Sequence, residues 1–348
     1  MTITSLRPDA AAPATMQTVS QSVNPTAPPR ATAPHSLHEH TLALLDQALA
    51  LVHADQAWRG YRLLGAPLSA LWSEARACGL GEEMRQWCHQ HSLYPLAQQD
   101  PYTQRATTKP RGYAGDAVMM DFIYQGQPPA GTSPLGAQIF GATTRVSMGL
   151  SVLYRRQLLK SWIDDAVVSR DGARVLSVAS GHARELEGSL VQSPHFQGQF
   201  LALDQDPLSC AEVQRVHAGG RVQVLNEGVR ELLSDSRCAQ MCEGQGLGRF
   251  DLIYSAGLYD YLPDSLAERL TRRLLQLLAP GGRLLIANFV PGGSGRAYME
   301  LFMDWTLMLR TEAQLRELAR TAGALQVNSF MDPHRNVVYA ELLREAAV

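Results

Sequence analysis

The chain has 348 residues, of which 45% are hydrophobic and 18% charged, and its formal net charge is −2. This length and apolar content suffice for one large or two modest domains with a substantial core. A nearly balanced charge gives no basic field for gripping nucleic acid, and no apolar run approaches the roughly 18 residues that span a bilayer. We therefore expect a cytoplasmic protein with a small-molecule partner, without nucleic acid or stable membrane insertion, and the unpaired spacing of its five cysteines agrees with a reducing compartment.

The first 132 residues divide into a tail and a helical region. Residues 1–35 are rich in Ala, Pro, Thr and Ser and lack apolar periodicity, so they predict a disordered tail. Residues 36–132 predict an all-α N-terminal domain or lid, with three helices within 37–98. The stretch Cys88–His91 fits a helix surface better than a metal site, because ring nitrogens two residues apart on a helix point in different directions.

The segment "TTKPRGYAGDAVMMDFIY", residues 107–124, predicts either a lid or a connector. Gly112 and Gly115 allow unusual backbone geometry and hold Tyr113 between them at a loop tip. As a lid, the segment would bring Tyr113, Gly115 and Asp116 onto a ligand. As a connector, it would use Tyr113 only for packing.

The catalytic domain is predicted to span residues 133–348 and to open with a long helix between Ser133 and Val168. Arg145, Arg155 and Arg156 lie on or near this helix. A guanidinium is suited to receive a carboxylate bidentately, although such arginines are more often solvated or paired locally.

The stretch "RVLSVASGHARELE", Arg174–Glu187, reads as a buried strand, a turn at Ser180-Gly181 and a helix that starts near Arg184. A ligand can lie against such a turn, because glycine has no side chain to exclude it and the helix start offers free N–H groups. Tight packing alone is the alternative interpretation.

Further strands follow in an alternating order. The second ends at Asp204, about 25 residues after the first, where an acidic residue can hold both hydroxyls of a ribose. The third ends at Asn226, the fourth is "FDLIYSAG" (250–257), and the fifth, "GRLLIANFV", begins at Gly282. The stretches 325–332 and 336–344 predict a closing hairpin.

The segments "FDLIYSAGLYDYLPD" and "LLAPGGRLLIANF" resemble the fourth and fifth strand motifs of class I S-adenosylmethionine-dependent methyltransferases. The resemblance covers about residues 140–345 and implies an α/β fold with a seven-stranded, mostly parallel, Rossmann-like sheet, and S-adenosylmethionine as cofactor. The contacts that it implies for the cofactor, together with the lid candidates Tyr113, Gly115 and Asp116, are Ser177, Ala179, Ser180, Gly181, Glu185, Asp204, Gln205, Asn226, Ser255, Ala256 and Gly257.

The first motif departs from the family pattern. An acidic residue is usual at the position of Ser177, and glycines at those of Ala179 and Ala183. The sequence "GHARELE" resembles a subgroup with a "GPARE" turn, in which Glu185 replaces the missing acid at the cofactor's ammonium group. The alternative is that Glu185 only stabilises a first helical turn.

The exit of the fourth strand carries the catalytic candidates. Ligands of open parallel sheets lie beyond the carboxyl ends of the strands, so Tyr259, Asp260 and Tyr261, with Asn288 after the fifth strand, are expected to line the reaction site. Tyr261 or Asp260 is the candidate base, and Tyr254 is a further wall residue. A helical stripe of Tyr298, Phe302, Trp305 and Met308 would either join the core or face a sulfonium cation.

The segment "KPRGYAGD" is similar to one found in a bacterial methyltransferase subgroup that includes fatty-acid methyl ester synthases of quorum sensing, and in azetidine-2-carboxylate synthases. The leading hypothesis is a methyltransferase that acts on a small acid or natural-product intermediate, with no metal. The alternative is a cyclase that forms azetidine-2-carboxylic acid and methylthioadenosine from S-adenosylmethionine. A non-catalytic cofactor-binding module is the third hypothesis.

Overall fold

The computed structural model describes residues 34–218, 220–244 and 248–345. The predicted disordered tail, apart from its last two residues, lies outside these residues. Every described helix is too short or too polar to traverse a lipid bilayer.

The N-terminal part is helical, as predicted. Its helices are α1 (Pro34–His53), α2 (Ala57–Leu63), α3 (Gly65–Ala77), α4 (Gly81–Gln90), α5 (Leu93–Ala97), α6 (Pro101–Thr108), α7 (Ala117–Gln125), α8 (Pro134–Thr144) and α9 (Ser147–Ser169). One face of α1 is apolar and buried, with Leu45 and Ala48 completely inaccessible to solvent. The stretch 37–98 holds more than three helices, because the chain turns at Asp55 and Gly79, both with positive φ, and again at Leu64 and His91.

A seven-stranded sheet follows in the order β3-β2-β1-β4-β5-β7-β6. All neighbouring pairs are parallel except those of β7, which is antiparallel to both β5 and β6. This confirms the predicted α/β fold, including the closing hairpin. The strands are β1 (Arg174–Val178), β2 (Gln199–Leu203), β3 (Val222–Leu225), β4 (Phe250–Ser255), β5 (Leu278–Phe289), β6 (Gln326–Met331) and β7 (Val337–Leu343).

Helices cover both faces of the sheet, because β1, β2 and β4 are apolar on both sides and almost completely buried. One core lies between the sheet and the α7–α9 side, and the other contains α13 and α15. The remaining helices are α10 (Pro207–Val216), α11 (Val229–Leu233), α12 (Asp235–Gly244), α13 (Asp264–Leu277), α14 (Arg296–Phe302) and α15 (Glu312–Thr321).

Three local predictions are wrong. The long helix over 133–168 is broken at Arg145–Val146 into α8 and α9. The helix expected from Arg184 is a single 3-10 turn, Arg184–Leu186, entered through a left-handed Ala183. The lid segment 107–124 is a loop only between α6 and α7, because Asp116 caps α7 and starts a helix at Ala117. The predicted domain division at residue 133 stays a prediction.

Candidate active site

A cavity of about 340 Å³ lies beyond the carboxyl ends of β1, β2 and β4, and side chains of the N-terminal helices complete its wall. This is the position at which open parallel sheets bind ligands. Most of the predicted site residues line it, namely Tyr113, Gly115, Ser177, Ala179, Ser180, Gly181, Glu185, Asp204, Gln205, Ala256, Gly257, Asp260 and Tyr261.

The turn after β1 has a left-handed backbone at Ala179, Gly181 and Ala183, with φ between 48° and 57°. Alanine at the first and last of these positions therefore keeps a conformation that glycine adopts without strain. A Cβ on Gly181 would lie 3.2 Å from Cβ of Ala117 at the start of α7. The backbone angle and the close approach of α7 both favour glycine here, and the residue also lines the cavity.

Asp204 ends β2 beside this turn and is buried. Its Oδ2 accepts a hydrogen bond from the Gly181 N–H at 2.7 Å, and its Oδ1 accepts one from the Asp206 N–H at 2.9 Å. Burial raises the pKa of this carboxyl, and the two backbone bonds oppose that rise. The turn and a fixed carboxyl therefore share one corner of the cavity, and the carboxylate can accept hydrogen bonds from ligand hydroxyls.

The carboxyl group of Glu185 and the guanidinium group of Arg155 are both buried and line the same cavity. Glu185 accepts a hydrogen bond of 2.5 Å from the Tyr254 hydroxyl, and burial raises its pKa although that bond lowers it. Arg155 donates from Nη1 to the carbonyl of Ala256 at 2.5 Å and is only 8% exposed. A carboxyl group and a guanidinium group in the wall of one cavity are complementary to an amino-acid zwitterion.

The other two candidate arginines lie elsewhere. Arg145 donates to the carbonyl of Gly126, and the Arg156 guanidinium sits over the ring of Tyr124. Of the three candidates, Arg155 is therefore the arginine that lines the cavity, together with Arg184, which was not a candidate.

Asp260 is a further acidic group of the wall. Its Oδ1 accepts hydrogen bonds from Asn288 Nδ2 at 2.9 Å and from the Phe289 N–H at 2.7 Å. Burial raises its pKa to about 6. A carboxyl that titrates near neutrality is suited to accept a proton from a bound molecule.

The loop of the lid segment packs directly on the exit of β4. The Tyr261 hydroxyl accepts a hydrogen bond from Trp305 Nε1 at 2.8 Å and donates one to the Ala114 carbonyl at 3.3 Å. A Cβ on Gly115 would lie 2.4 Å from Cζ2 of Trp305. The contact between loop and wall is thus so close that only glycine fits.

Two ion pairs that the sequence did not predict join the lid segment to the chain that follows β1 and β2. Arg111 donates to Asp206 Oδ2 at 2.7 Å, and Arg184 binds Asp121 through two nitrogens at 2.7 and 2.8 Å. Burial raises the pKa of Asp121, but hydrogen bonds from Arg184 and His182 outweigh it and lower the pKa to about 2. The signal available in the sequence was only the opposite charge of the partners, Arg111 with Asp206 and Arg184 with Asp121.

Five predicted site residues are not among those that line the cavity: Asp116, Asn226, Ser255, Tyr259 and Asn288. Asp116 caps α7 and holds Arg105 through a bidentate ion pair. The Ser255 hydroxyl donates to the Val178 carbonyl, and Asn226 donates to the Asp204 carbonyl. Their bonds support the neighbouring backbone.

The side chains of Tyr259 and Asn288 lie behind the residues that line the cavity. The Tyr259 hydroxyl is bonded to Thr271 in the core. Asn288 donates to Asp260 and accepts from Arg310 Nη1 at 2.6 Å, so it holds the Asp260 carboxyl without reaching the cavity.

The predicted aromatic stripe is not one helical face, because α14 ends at Phe302. Tyr298 and Trp305 line the cavity, Phe302 is buried beside Tyr94, and Met308 is 45% exposed. The fold also brings in wall residues that the sequence reading missed, including Tyr61, Tyr102, Met120, Met148, Met299 and Met303. Within the part of the chain that the structure describes, no His, Cys, Asp or Glu side chains cluster as a metal site.

No protein-family model matches the sequence, and no curated protein matches it. Among solved structures, it is similar to a possible exported protein from Bordetella parapertussis, with 21% identity, 91% of this chain and 100% of that chain covered, and a TM-score of 0.56. It is also similar to a putative O-methyltransferase from Nostoc punctiforme (14% identity, 87% and 98% covered, TM-score 0.46). A third structure is the magnesium protoporphyrin IX methyltransferase of Synechocystis with bound S-adenosylmethionine (14% identity, 58% and 85% covered, TM-score 0.40). The likeness to the Bordetella protein shows that the chain shares its fold.

Proposed function

We propose that the chain is an S-adenosylmethionine-dependent methyltransferase that acts on a small-molecule acid. The observation that carries this proposal is the placement of Glu185 and Arg155 in the same cavity as Asp204 and the turn after β1. These groups match the two ends of the cofactor, a nucleoside and an amino acid.

The residues present fit the cofactor by the chemistry of each donor set. Asp204 would accept hydrogen bonds from the ribose hydroxyls, beside the backbone of the turn. Glu185 would hold the ammonium group, in place of the acidic residue that is usual at the position of Ser177. Arg155 would hold the carboxylate. When bound, S-adenosylmethionine supplies a methyl group on a positively charged sulfur, which makes that methyl a strong electrophile.

The remaining wall residues would orient an acceptor and exclude water. Tyr113, Tyr261 and Trp305 bring aromatic rings to the cavity, and ring faces attract cations with about 0.5 to 2 kcal/mol. Asp260, with a pKa of about 6, would take a proton from an acceptor that binds in its neutral form. An acid that binds ionised needs only positioning, which can lower a barrier by about 7 to 11 kcal/mol.

The resemblance of "KPRGYAGD" to a segment of fatty-acid methyl ester synthases supports an acid as acceptor. In this structure the segment supplies Tyr113 and Gly115 to the cavity wall and Arg111 to the ion pair with Asp206.

Product analysis tests the proposal. Purified protein is incubated with S-adenosylmethionine and a set of small carboxylic acids, and mass spectrometry searches for S-adenosylhomocysteine together with a methyl ester. Glu185→Gln, which keeps the shape but not the charge of this side chain, should lower the rate at subsaturating cofactor. An absence of S-adenosylhomocysteine with every acid would contradict an acid methyltransferase.

A second candidate is the cyclase, and the raised pKa of Glu185 favours it. A carboxyl of that kind would accept the proton of the ammonium group that it contacts. The freed amine would then attack Cγ of the same molecule, so that a C–N bond forms, the Cγ–S bond breaks and methylthioadenosine leaves. Release of methylthioadenosine together with azetidine-2-carboxylic acid, from S-adenosylmethionine without any acceptor, would establish this activity.

A further inference from the structure

A buried carboxyl that the proposed function does not use lies near the far end of the cavity. Asp100 is completely buried at the start of α6, where its oxygens accept the N–H groups of Tyr102 and Thr103 at 3.0 and 3.2 Å. The same carboxyl also accepts the hydroxyls of Thr103 and Thr143, both at 2.8 Å. Helix capping explains the two backbone bonds but not the two hydroxyls.

The direction of these bonds can be followed outward from the carboxyl. An ionised carboxylate can only accept hydrogen bonds, so the Thr103 hydroxyl donates its one proton to Asp100. Its oxygen must then accept the proton of the Tyr298 hydroxyl, 3.0 Å away. The Tyr298 oxygen is left with lone pairs and no proton to give to a ligand.

Thr143 is oriented by the same carboxyl. Its hydroxyl also lies 3.1 Å from the Ile139 carbonyl and 3.3 Å from that of Phe140, but the bond to the charged Asp100 is shorter and stronger. Thr143 therefore also keeps only lone pairs for a ligand. Burial raises the pKa of Asp100 to about 6, partly opposed by its hydrogen bonds, so the carboxyl is ionised above that pH.

We call these hydrogen-bonded residues, Asp100, Thr103, Thr143 and Tyr298, the relay. Its two outer members, Tyr298 and Thr143, belong to the cavity wall, and the rings of Tyr61 and Tyr102 lie in the same wall. We propose that this end of the cavity binds a hydrogen-bond donor, a hydroxyl or an amine, on an otherwise apolar molecule, with Tyr298 and Thr143 as the groups that determine this specificity. That the bound molecule is the methyl acceptor rests on the proposed function. The hydrogen bonds of the relay are independent of the proposed function.

Asp100→Asn tests the direction of the relay. Asparagine caps helices about as well as aspartate, so the fold should persist. Its Oδ1 can still accept the Tyr102 N–H. Its Nδ2, in the place of Oδ2, then donates to the two threonine oxygens, and the Thr103 N–H loses its acceptor. The Thr103 hydroxyl in turn donates to Tyr298, whose proton is freed to point at a ligand. The variant should therefore prefer ligands that accept a hydrogen bond.

The probes are secondary alkanols and the methyl ketones of the same chain lengths, titrated by calorimetry with and without S-adenosylhomocysteine. The parent should bind the best alkanol about tenfold more tightly than its ketone. Asp100→Asn should reverse this preference, and Tyr298→Phe should weaken it, because only Thr143 then remains as acceptor, while keeping the ring that stacks on Phe302. Tyr94→Phe is the matched control, because Tyr94 stacks on Phe302 as Tyr298 does but is not among the residues that line the cavity, so the ratio should stay as in the parent.

A purely structural role for Asp100 would lower the melting temperature of Asp100→Asn and leave the alkanol-to-ketone ratio unchanged. That result overturns the inference, as does a parent protein that prefers no alkanol of the series over its ketone. Failure of the proposed function is separate, because it would appear as a lack of S-adenosylhomocysteine binding and not in this ratio.

Discussion

Replacing Gly115 by alanine tests whether the loop of the lid segment must close over the cavity for the cofactor to bind. The added Cβ would lie 2.4 Å from Trp305 Cζ2 and 2.5 Å from the Tyr261 hydroxyl oxygen, whereas carbon contacts are normally about 3.5 to 4.0 Å. Gly115 also has φ of +74°, which alanine adopts at a cost of about 1 to 2 kcal/mol. Both effects oppose the closed loop.

Overpacking of this kind typically costs about 1 to 3 kcal/mol, so the closed loop of the variant is destabilised by about 2 to 5 kcal/mol. The free protein relieves this by letting the loop move away, while the bound protein cannot. At about 1.4 kcal/mol for each factor of ten, affinity for S-adenosylhomocysteine should fall by about 30-fold or more in calorimetry. The melting temperature should change little, because an open loop removes the clash.

Gly112→Ala is the matched control. Gly112 has φ of +85°, but a Cβ there would meet no atom within 4 Å. This variant has the backbone strain without the clash, so it should lose distinctly less affinity than Gly115→Ala. Equal affinities of the two variants would refute the contact between the loop, Trp305 and Tyr261 as the cause of closure.

Further substitutions test the other groups of the wall. Asp204→Ala should weaken cofactor binding by about 1.5 to 3 kcal/mol in calorimetry, and a folded variant with parental affinity would remove Asp204 from the site. Tyr254→Phe deletes the hydrogen bond that favours ionised Glu185, so the loss of cofactor affinity on acidification should begin at a higher pH than in the parent; an unshifted profile of affinity against pH would contradict this. Asp260→Asn keeps an acceptor for both hydrogen bonds. Since burial raises the Asp260 pKa from 3.8 to about 6, the folded state is penalised as pH rises between these values, and above about pH 6 the variant should be more stable by on the order of 3 kcal/mol while turnover falls. Denaturant unfolding at acidic and alkaline pH checks this, and a stability difference that does not grow with pH would contradict it. Tyr113→Phe should keep most of the cofactor affinity and Tyr113→Ala should lose it, whereas equal affinities of parent and both variants would make the loop a connector.

The sheet and one half of the site could be predicted from local patterns. Short apolar runs such as Val175–Val178 make strands buried on both faces, and parallel order then places Asp204, Glu185 and Asp260 at one edge. These positions can be predicted from the sequence because each residue comes soon after the end of a strand along the chain.

The other half depends on packing between distant segments. Tyr61 and Tyr298 are far apart in the sequence, yet their rings lie 5.9 Å apart in the cavity wall. The hydrogen bond that Thr143 donates to Asp100 and the one between the Tyr298 and Thr103 hydroxyls likewise join separate helices. The turn misled the helix prediction for a local reason, because a left-handed Ala183 permits only one 3-10 turn before Gly188 redirects the chain.

The central claim is that one cavity holds a nucleoside at Asp204 and an amino-acid group between Glu185 and Arg155. Calorimetric titration of the parent protein with S-adenosylhomocysteine and with methylthioadenosine tests it, because the second ligand has the nucleoside without the amino acid. We expect both to bind, with S-adenosylhomocysteine tighter by about tenfold or more, the gain of its charged hydrogen bonds. Equal affinities, or no binding of either ligand, would contradict the assignment.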